Sequence, residues 1–343
     1  MSGGFPELPL HPESPSLELP GKDRGAIAEA LAESRVGIGD LAAAVDLGTN
    51  TALLLVGKVE VGALVVVEEH GATPRLGAGL ARSGRLEEGA LERTMEVLRH
   101  FVERMDINGV PANRRRFVGT AILRRASDSV RLVDRAREEL GIELEVLPEE
   151  EEARLSYAAV VESEGSPEVV VIDVGGGSTE LAWDEGREAA SIPIGAVVLT
   201  ETWLGLSGSS ALEEGGWDGL LQAVEDEACA LPEGIVGSSE CVLVGGAAVN
   251  LACLDQDLEG FDVRLADGHE ISLGALIKSR DYVAGLDLKE RLELPVEPGR
   301  AEILPAGLAC FAAVMTRIGA DQGRATTRGL RHSLVFELAQ TKA

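Results

Sequence analysis

The segment Asp173-Val174-Gly175-Gly176-Gly177-Ser178-Thr179-Glu180 follows the apolar run Val169–Ile172 and sets three glycines between two carboxylates. Glycine lets a backbone turn sharply and bring its N–H groups against an anion with no side chain in the way. The expected ligand of Gly175, Gly176, Gly177 and Ser178 is therefore a phosphate. Asp173 and Glu180 flank the same turn, where carboxylates hold a metal ion or a water beside such a phosphate. A weaker copy lies upstream: the apolar run Leu41–Val45, the polar turn Asp46-Leu47-Gly48-Thr49-Asn50-Thr51, and a renewed apolar run at Ala52–Val56. Each copy reads as a β-hairpin with its tip turned toward a ligand. One such turn alone is a plain hairpin. Two, each preceded by an aspartate, predict a duplicated α/β architecture with one loop per half, closing on a shared cleft.

The rest of the chain alternates strands and helices. Strands are expected near 41–46, 52–59 and 62–69, then a helix over about 87–107 whose Leu91, Met95, Leu98, Val102 and Met105 share one face. A helix near 128–140 leads to the strand Leu144–Leu147, and Pro148 opens the next helix, where proline is tolerated in the first turn. Further helices are expected near 211–230, 246–254, 272–284, 303–318 and 329–340. Gly245-Gly246, between the strand Cys241–Val244 and a helix, either offers backbone N–H groups to a second phosphate or a nucleotide, or is only a tight turn. Residues 1–40 differ: Pro6, Pro9, Pro12, Pro15 and Pro20 fall among Glu, Ser and Gly, which favours an extended or disordered lead with at most a short helix at Ala26–Glu33.

A chain of 343 residues exceeds the size at which one core keeps growing, so two domains are expected, with a boundary near residue 150. Aromatics are only 3%, so the core must be built from Ala, Val, Leu and Ile. The formal charge of −27 repels polyanions at long range, which argues against a broad nucleic-acid surface and requires a phosphate to be held locally. Arg114, Arg115 and Arg116 read as a solvated loop. Cys229, Cys241, Cys253 and Cys310 show no metal-ligand or redox spacing, and the histidines are scattered. No charged start followed by an apolar stretch and no run of about 18 apolar residues is present, so the expectation is a cytoplasmic protein without a membrane span.

Further segments occur in a recognisable order: Arg75-Leu76-Gly77, Arg82-Ser83-Gly84-Arg85-Leu86, Thr120-Ala121-Ile122-Leu123-Arg124, Glu150-Glu151-Glu152-Ala153-Arg154-Leu155, Ile194-Gly195-Ala196-Val197, Gly245-Gly246-Ala247, Leu304-Pro305-Ala306-Gly307-Leu308 and Gly329-Leu330-Arg331. With the two glycine turns, this series resembles the exopolyphosphatase and guanosine pentaphosphate phosphohydrolase family, within the acetate kinase, sugar kinase, Hsp70 and actin superfamily. The likeness runs from about Leu41 to about Leu338. It implies two ribonuclease-H-like (actin-like ATPase) domains around an interdomain cleft, over residues 41–150 and 151–328, with the closing helix 329–343 returning to the first. It implies catalytic roles for Glu152, Glu180 and Arg124, and a homodimer is common in such a family. The family's longer members carry an extra carboxyl-terminal helical domain, short of which this chain stops. The chain departs from the pattern at Leu53, Ala121, Ala247, Thr327 or Arg328, and His332. Two of these, Ala121 and Ala247, remove a hydroxyl or amide donor.

Glu149, Glu150 and Glu151 need no catalytic explanation, since carboxylates at a helix amino terminus are stabilising by roughly 0.3–1 kcal/mol each. Glu152 lies about one turn past Pro148 and is expected to face the domain junction, with its proton affinity raised by like-charged neighbours, as befits a general base. Gly48, Thr49, Asn50, Thr51, Gly175, Gly176, Gly177, Ser178, Gly245 and Gly246 would surround the phosphates, and Mg²⁺ would sit near Asp46, Asp173 and Glu180. The expected activity is Mg²⁺-dependent removal of a terminal phosphate from polyphosphate or a guanosine pentaphosphate. A non-catalytic phosphate sensor and an ATP-using phosphotransferase of the same fold are the competing readings.

Overall fold

A computed structural model describes residues 8–9, 41–165, 168–206, 213, 215–235 and 240–340. The lead expected over residues 1–40, with its helix at Ala26–Glu33, lies outside the described residues apart from strand β1 (Leu8–Pro9). The strands that follow are β2 (Ala42–Leu47), β3 (Ala52–Glu60), β4 (Ala63–Ala72), β5 (Arg115–Gly119), β6 (Leu144–Val146), β7 (Val169–Val174), β8 (Thr179–Trp183), β9 (Glu188–Ile192), β10 (Glu240–Val244), β11 (Glu270–Ser272) and β12 (Gln322–Ala325). They form two six-stranded sheets, ordered β1-β4-β3-β2-β5-β6 and β11-β12-β10-β7-β8-β9.

The predicted duplication is visible in these orders. β4-β3-β2-β5-β6 and β9-β8-β7-β10-β12 share one arrangement: three strands joined as antiparallel hairpins, then two added in parallel. The centre strand of each half, Ala42–Leu47 or Val169–Val174, is an unbroken apolar run up to its aspartate because helices cover both faces. In the first half of β4, Ala63–Val67, exposed and part-buried residues alternate, as in a strand with one wet face; the second half, where β1 pairs, is part-buried throughout. Arg115 and Arg116, expected in a loop, instead open β5, where Arg116 Nε donates to Glu145 of β6 at 2.9 Å.

The first lobe's core forms where Leu91, Met95, Leu98, Phe101 and Met105 of the helix Glu88–Ile107 meet Val45, Leu54 and Val56. Val102, expected on that face, lies at its margin and is only part-buried. The second lobe is built around the helix Leu304–Ile318. Its small residues Ala306, Gly307, Ala309 and Ala312 let it sink into the core, where Phe311 is fully buried. As the low aromatic content required, most of that core is Ala, Val, Leu and Ile.

Two helices connect the lobes. Glu149–Glu164 begins after Pro148 and lays Ala153, Tyr157 and Val160 on Val169, Val171, Ala182, Val242 and Val244 of the second sheet. Leu330–Gln340 lays Leu330, Leu334 and Val335 on Ala42, Ala44 and Leu55 of the first. The two helices touch each other, and Ser333 Oγ donates to the Leu155 carbonyl at 2.8 Å. Glu152 is thereby carried to the junction of the lobes.

The short strands β9, β11 and β12 do not stand out in sequence. β12 reads Gln-Gly-Arg-Ala and is a strand only because β10 and β11 pair with it. A Cβ on Gly323 would lie 2.9 Å from the Leu243 side chain, so a bare backbone is needed there. The helix expected near 211–230 spans Gly216–Ala228 among the described residues.

Candidate active site

The two hairpin tips have one geometry. In the first, Gly48 N–H donates to the Thr51 carbonyl at 2.9 Å; in the second, Gly175 N–H donates to the Ser178 carbonyl at 3.0 Å. Strand register places Asp46 opposite Leu53 and Asp173 opposite Glu180, so the aspartates occupy equivalent places. The tips face each other and touch. A Cβ built on Gly176 would lie 2.9 Å from Thr49 Cβ, and one on Gly177 would lie 2.8 Å from Thr49 Oγ1. The glycines of the second tip are therefore the groove into which Thr49 of the first fits.

Below the tips lies a cavity of about 110 Å³, walled by Gly48 to Thr51, Gly175 to Ser178, Asp46, Glu152, Asp173, Gly245-Gly246 and Arg300. Sequence reasoning named all of these except Arg300. The Gly245-Gly246 turn stands at the back, with Gly245 at a φ of +102°. A Cβ on Gly246 would overlap the Arg300 guanidinium, at 1.9 Å from its Cζ. Arg300 reaches across the lobes, donating from Nη2 to Thr51 Oγ1 at 3.0 Å and from Nε to Glu297 at 3.0 Å. A second cavity of about 130 Å³ continues from the first, sharing Asp46, Leu53, Asp173 and Arg300 and adding Val249, Asn250, Phe261, Val263 and Arg331.

Electrostatically the cavity is dominated by buried carboxylates. Burial lifts the Asp46 carboxyl to about 7; the neighbouring Asp173 charge adds to this, and Arg331 opposes it. Asp173 is raised by burial against the hydrogen bond from Ser156 Oγ, 2.7 Å from Oδ2, and against Arg331 and Arg300. Glu152 is likewise raised by burial, with Arg124 pulling the other way and Asp46 and Asp173 adding to the rise. The expected neighbours Glu149 to Glu151 are not the cause: the rise comes from burial and from Asp46 and Asp173, while Glu149 lies against Arg124 at 3.7 Å and none of the three lines the cavity.

Two expected site residues stand behind the wall. Arg124 Nη1 donates to Glu152 Oε2 at 2.8 Å and to the Leu147 carbonyl at 2.6 Å, while its buried Nε and Nη2 make no hydrogen bond. Glu180 is almost fully buried; Ser178 Oγ and Ser191 Oγ donate to it, and the Arg124 guanidinium lies 4.0 Å away. Glu180, expected beside Asp46 and Asp173, is thus engaged by Ser178, Ser191 and Arg124 and does not line the cavity. Among the described residues no three His, Cys, Asp or Glu side chains converge at metal-binding distances. The aspartate pair still fits a Mg²⁺ ion, which takes few carboxylates and completes its shell with water and phosphate oxygens. The Asp46 Oδ1 atom, sealed from solvent with no hydrogen-bond partner, is the observation that favours such an ion.

The departures from the family pattern have structural settings. Ala121 lines the cavity wall, where a hydroxyl would have faced the ligand. Ala247 sits against Gly307, whose Cβ would come within 2.8 Å of it. Thr327 binds Asp267, while His332 is buried beside Glu69 and its imidazole is pushed down to about 4, mainly by burial. Ser156, whose hydroxyl donates to Asp173, was not named from the sequence, although its place one turn after Glu152 on the same helix face is the signal that could have found it. Arg300 carries no such signal, because only the fold brings it near either tip.

A model of the Ppx/GppA phosphatase family matches residues 55–342. A guanosine-5'-triphosphate,3'-diphosphate pyrophosphatase from Photobacterium profundum is 29% identical over 310 residues, covering 88% of this chain. The chain spans only 60% of that relative's length. The crystal structure of the Aquifex aeolicus member of the Ppx/GppA family superposes with a TM-score of 0.71 at 28% identity, over 88% of this chain and 99% of that one. An exopolyphosphatase from Cytophaga hutchinsonii (ATCC 33406) does so with a TM-score of 0.74 at 20% identity, over 88% and 99%, a likeness of fold alone. No helix among the described residues is long and apolar enough to cross a membrane.

Proposed function

Because the chain belongs to the Ppx/GppA phosphatase family, we propose that it hydrolyses a terminal phosphoanhydride, releasing orthophosphate from inorganic polyphosphate or from a guanosine pentaphosphate, with Mg²⁺ as cofactor. The observation that carries this reading is the single cavity in which Glu152, Asp46 and Asp173 meet the N–H groups of two opposed glycine turns. The terminal phosphoryl group lies between the turns, where backbone N–H groups and the Thr51 hydroxyl offset its charge, while the Ser178 hydroxyl stays on Glu180. Arg300 adds a guanidinium fork from the side of Gly246. Glu152 accepts a proton from the attacking water; its raised proton affinity brings it toward the range in which a general base works near neutral pH. Arg124 holds Glu152 in place through Oε2. Asp46 and Asp173 would hold Mg²⁺, and the ion when bound supplies positive charge to the phosphate oxygens and favours the ionised carboxylates.

The test is purified protein with Mg²⁺, offered short polyphosphate, long polyphosphate, guanosine pentaphosphate and ATP in parallel, with liberated orthophosphate measured. Glu152→Gln is expected to abolish release while ligand binding, followed by calorimetry, persists. An active Glu152→Gln protein moves the base elsewhere. Binding without release by the unaltered protein selects the sensor reading, which the bare Ala121 in the cavity wall favours.

A further inference from the structure

Outside the cavity, two buried carboxylates of the second lobe cross to the first: Glu302 pairs with the Arg75 guanidinium at 3.2 Å, whereas Glu201 grips main-chain groups. Glu201 lies in the π-helical turn Thr200–Leu204 of the second lobe and is only 7% exposed. It accepts hydrogen bonds from two backbone N–H groups of the first lobe, Gly79 to Oε1 at 2.6 Å and Ala81 to Oε2 at 3.2 Å. A charged group buried against main-chain donors is a costly contact where an apolar one would hold two surfaces together. π-helical turns are rare and recur at functional sites.

Each end of this contact leads to a glycine tip. The helix Ala196–Leu199, continuous with the π turn, is tied to the second tip: Ala196 N–H donates to the Gly175 carbonyl at 3.0 Å and Val197 N–H to the Gly176 carbonyl at 2.9 Å. On the other side, the segment that Glu201 grips is tied to the first tip, with Gly77 N–H donating to the Thr49 carbonyl at 2.8 Å and Arg75 N–H to the Asn50 carbonyl at 3.0 Å. The path closes where Thr49 meets Gly176 and Gly177. Glu201 thus joins the two tips by a route that never enters the cavity.

We propose that Glu201 is a positioning residue, a latch that fixes the spacing of the two glycine tips by holding the lobes closed. The kinetic consequence rests on the phosphoryl-transfer reading above; the latch itself does not. Releasing it lets the lobes swing apart about the connecting helices, and the tips lose their common register on the ligand. Misplacement by about 1 Å costs on the order of 100-fold in rate.

The experiment places spin labels at Val130→Cys and Tyr282→Cys, one per lobe and both more than half exposed, in a Cys229→Ser background because Cys229 is exposed. Distance distributions are compared for the Glu201 protein, Glu201→Ala and Glu201→Gln. The latch predicts a longer, broader distribution in Glu201→Ala and an intermediate one in Glu201→Gln, which keeps one acceptor oxygen. Protection of the Gly79 and Ala81 amides against hydrogen exchange should fall in the same order. With a substrate that the unaltered protein turns over, kcat should fall about 100-fold in Glu201→Ala with little change in KM. An unchanged distance distribution in Glu201→Gln overturns the proposal, whatever happens to activity. If no substrate is turned over at all, the functional reading fails and the distance measurement still decides the latch. Should Glu201→Ala not fold, Glu201→Gln carries the comparison alone.

Discussion

Asp46→Asn isolates the free energy of ionising the cavity. In the metal-free protein the Asp46 carboxyl titrates at about 7 rather than at its ordinary 3.8. A carboxyl with a raised folded value keeps its proton on folding, so its contribution to stability is fully present below about pH 4 and is lost as pH rises through about 7. Moving a titration midpoint by one pH unit corresponds to about 1.36 kcal/mol, which gives about 4 kcal/mol for the whole displacement. More than a third of this is already lost by pH 5, where the unfolded carboxyl is ionised, so about 2–2.5 kcal/mol is expected between pH 5 and pH 8. Asparagine has the same shape, cannot ionise, and removes the like charge facing Asp173. Urea unfolding in chelator at pH 5, 6, 7 and 8 should therefore show the unaltered protein losing stability faster than Asp46→Asn. Mg²⁺ should restore the unaltered protein at pH 8 and Asp46→Asn much less. Parallel pH profiles for the two proteins would refute the reasoning, because they would mean that Asp46 is already ionised and solvated in the folded state.

Other expectations follow from single contacts. Gly176→Ala drives a methyl group to 2.9 Å from Thr49 Cβ, so phosphate release should fall about 100-fold, and adding Thr49→Ala should recover part of it. Ser156→Ala removes the donor that orients Asp173, and Mg²⁺ titration should show affinity lowered about 10-fold. Phe311→Ala empties the centre of the second lobe and should cost about 3–5 kcal/mol in denaturant unfolding, leaving far-ultraviolet circular dichroism near normal before the transition.

The hairpins were legible because each carries its own evidence: an apolar run, an aspartate, a glycine turn and a second apolar run are all local. The same holds for Glu152, whose place is set by counting from Pro148. Arg300 was hidden because Thr51 belongs to the other lobe and Gly246 lies far from it in sequence, so only the fold brings them together. Glu180 illustrates a different limit. It stands two residues beyond Ser178, yet Ser178 and Ser191 hold the carboxylate outside the cavity lining, and Ser191 comes from a neighbouring strand that no count along the turn reports. The cause of Glu152's raised proton affinity is hidden for a similar reason: sequence displays the acidic neighbours along the helix, whereas desolvation belongs to the assembled cavity.

The two tips descend from one arrangement of strands but have specialised in opposite senses. One carries Thr49 and Asn50 where the other has only Gly176 and Gly177, and the threonine seats in the bare turn like a tenon in its mortise. Matching tips would fail either way, since two threonines would collide and two bare turns would leave a gap between the lobes. The departure from twofold symmetry is thus what allows a duplicated scaffold to shut tightly on an asymmetric guest, and transplanting either turn onto the opposite half should undo the closure even though each strand pair would still form.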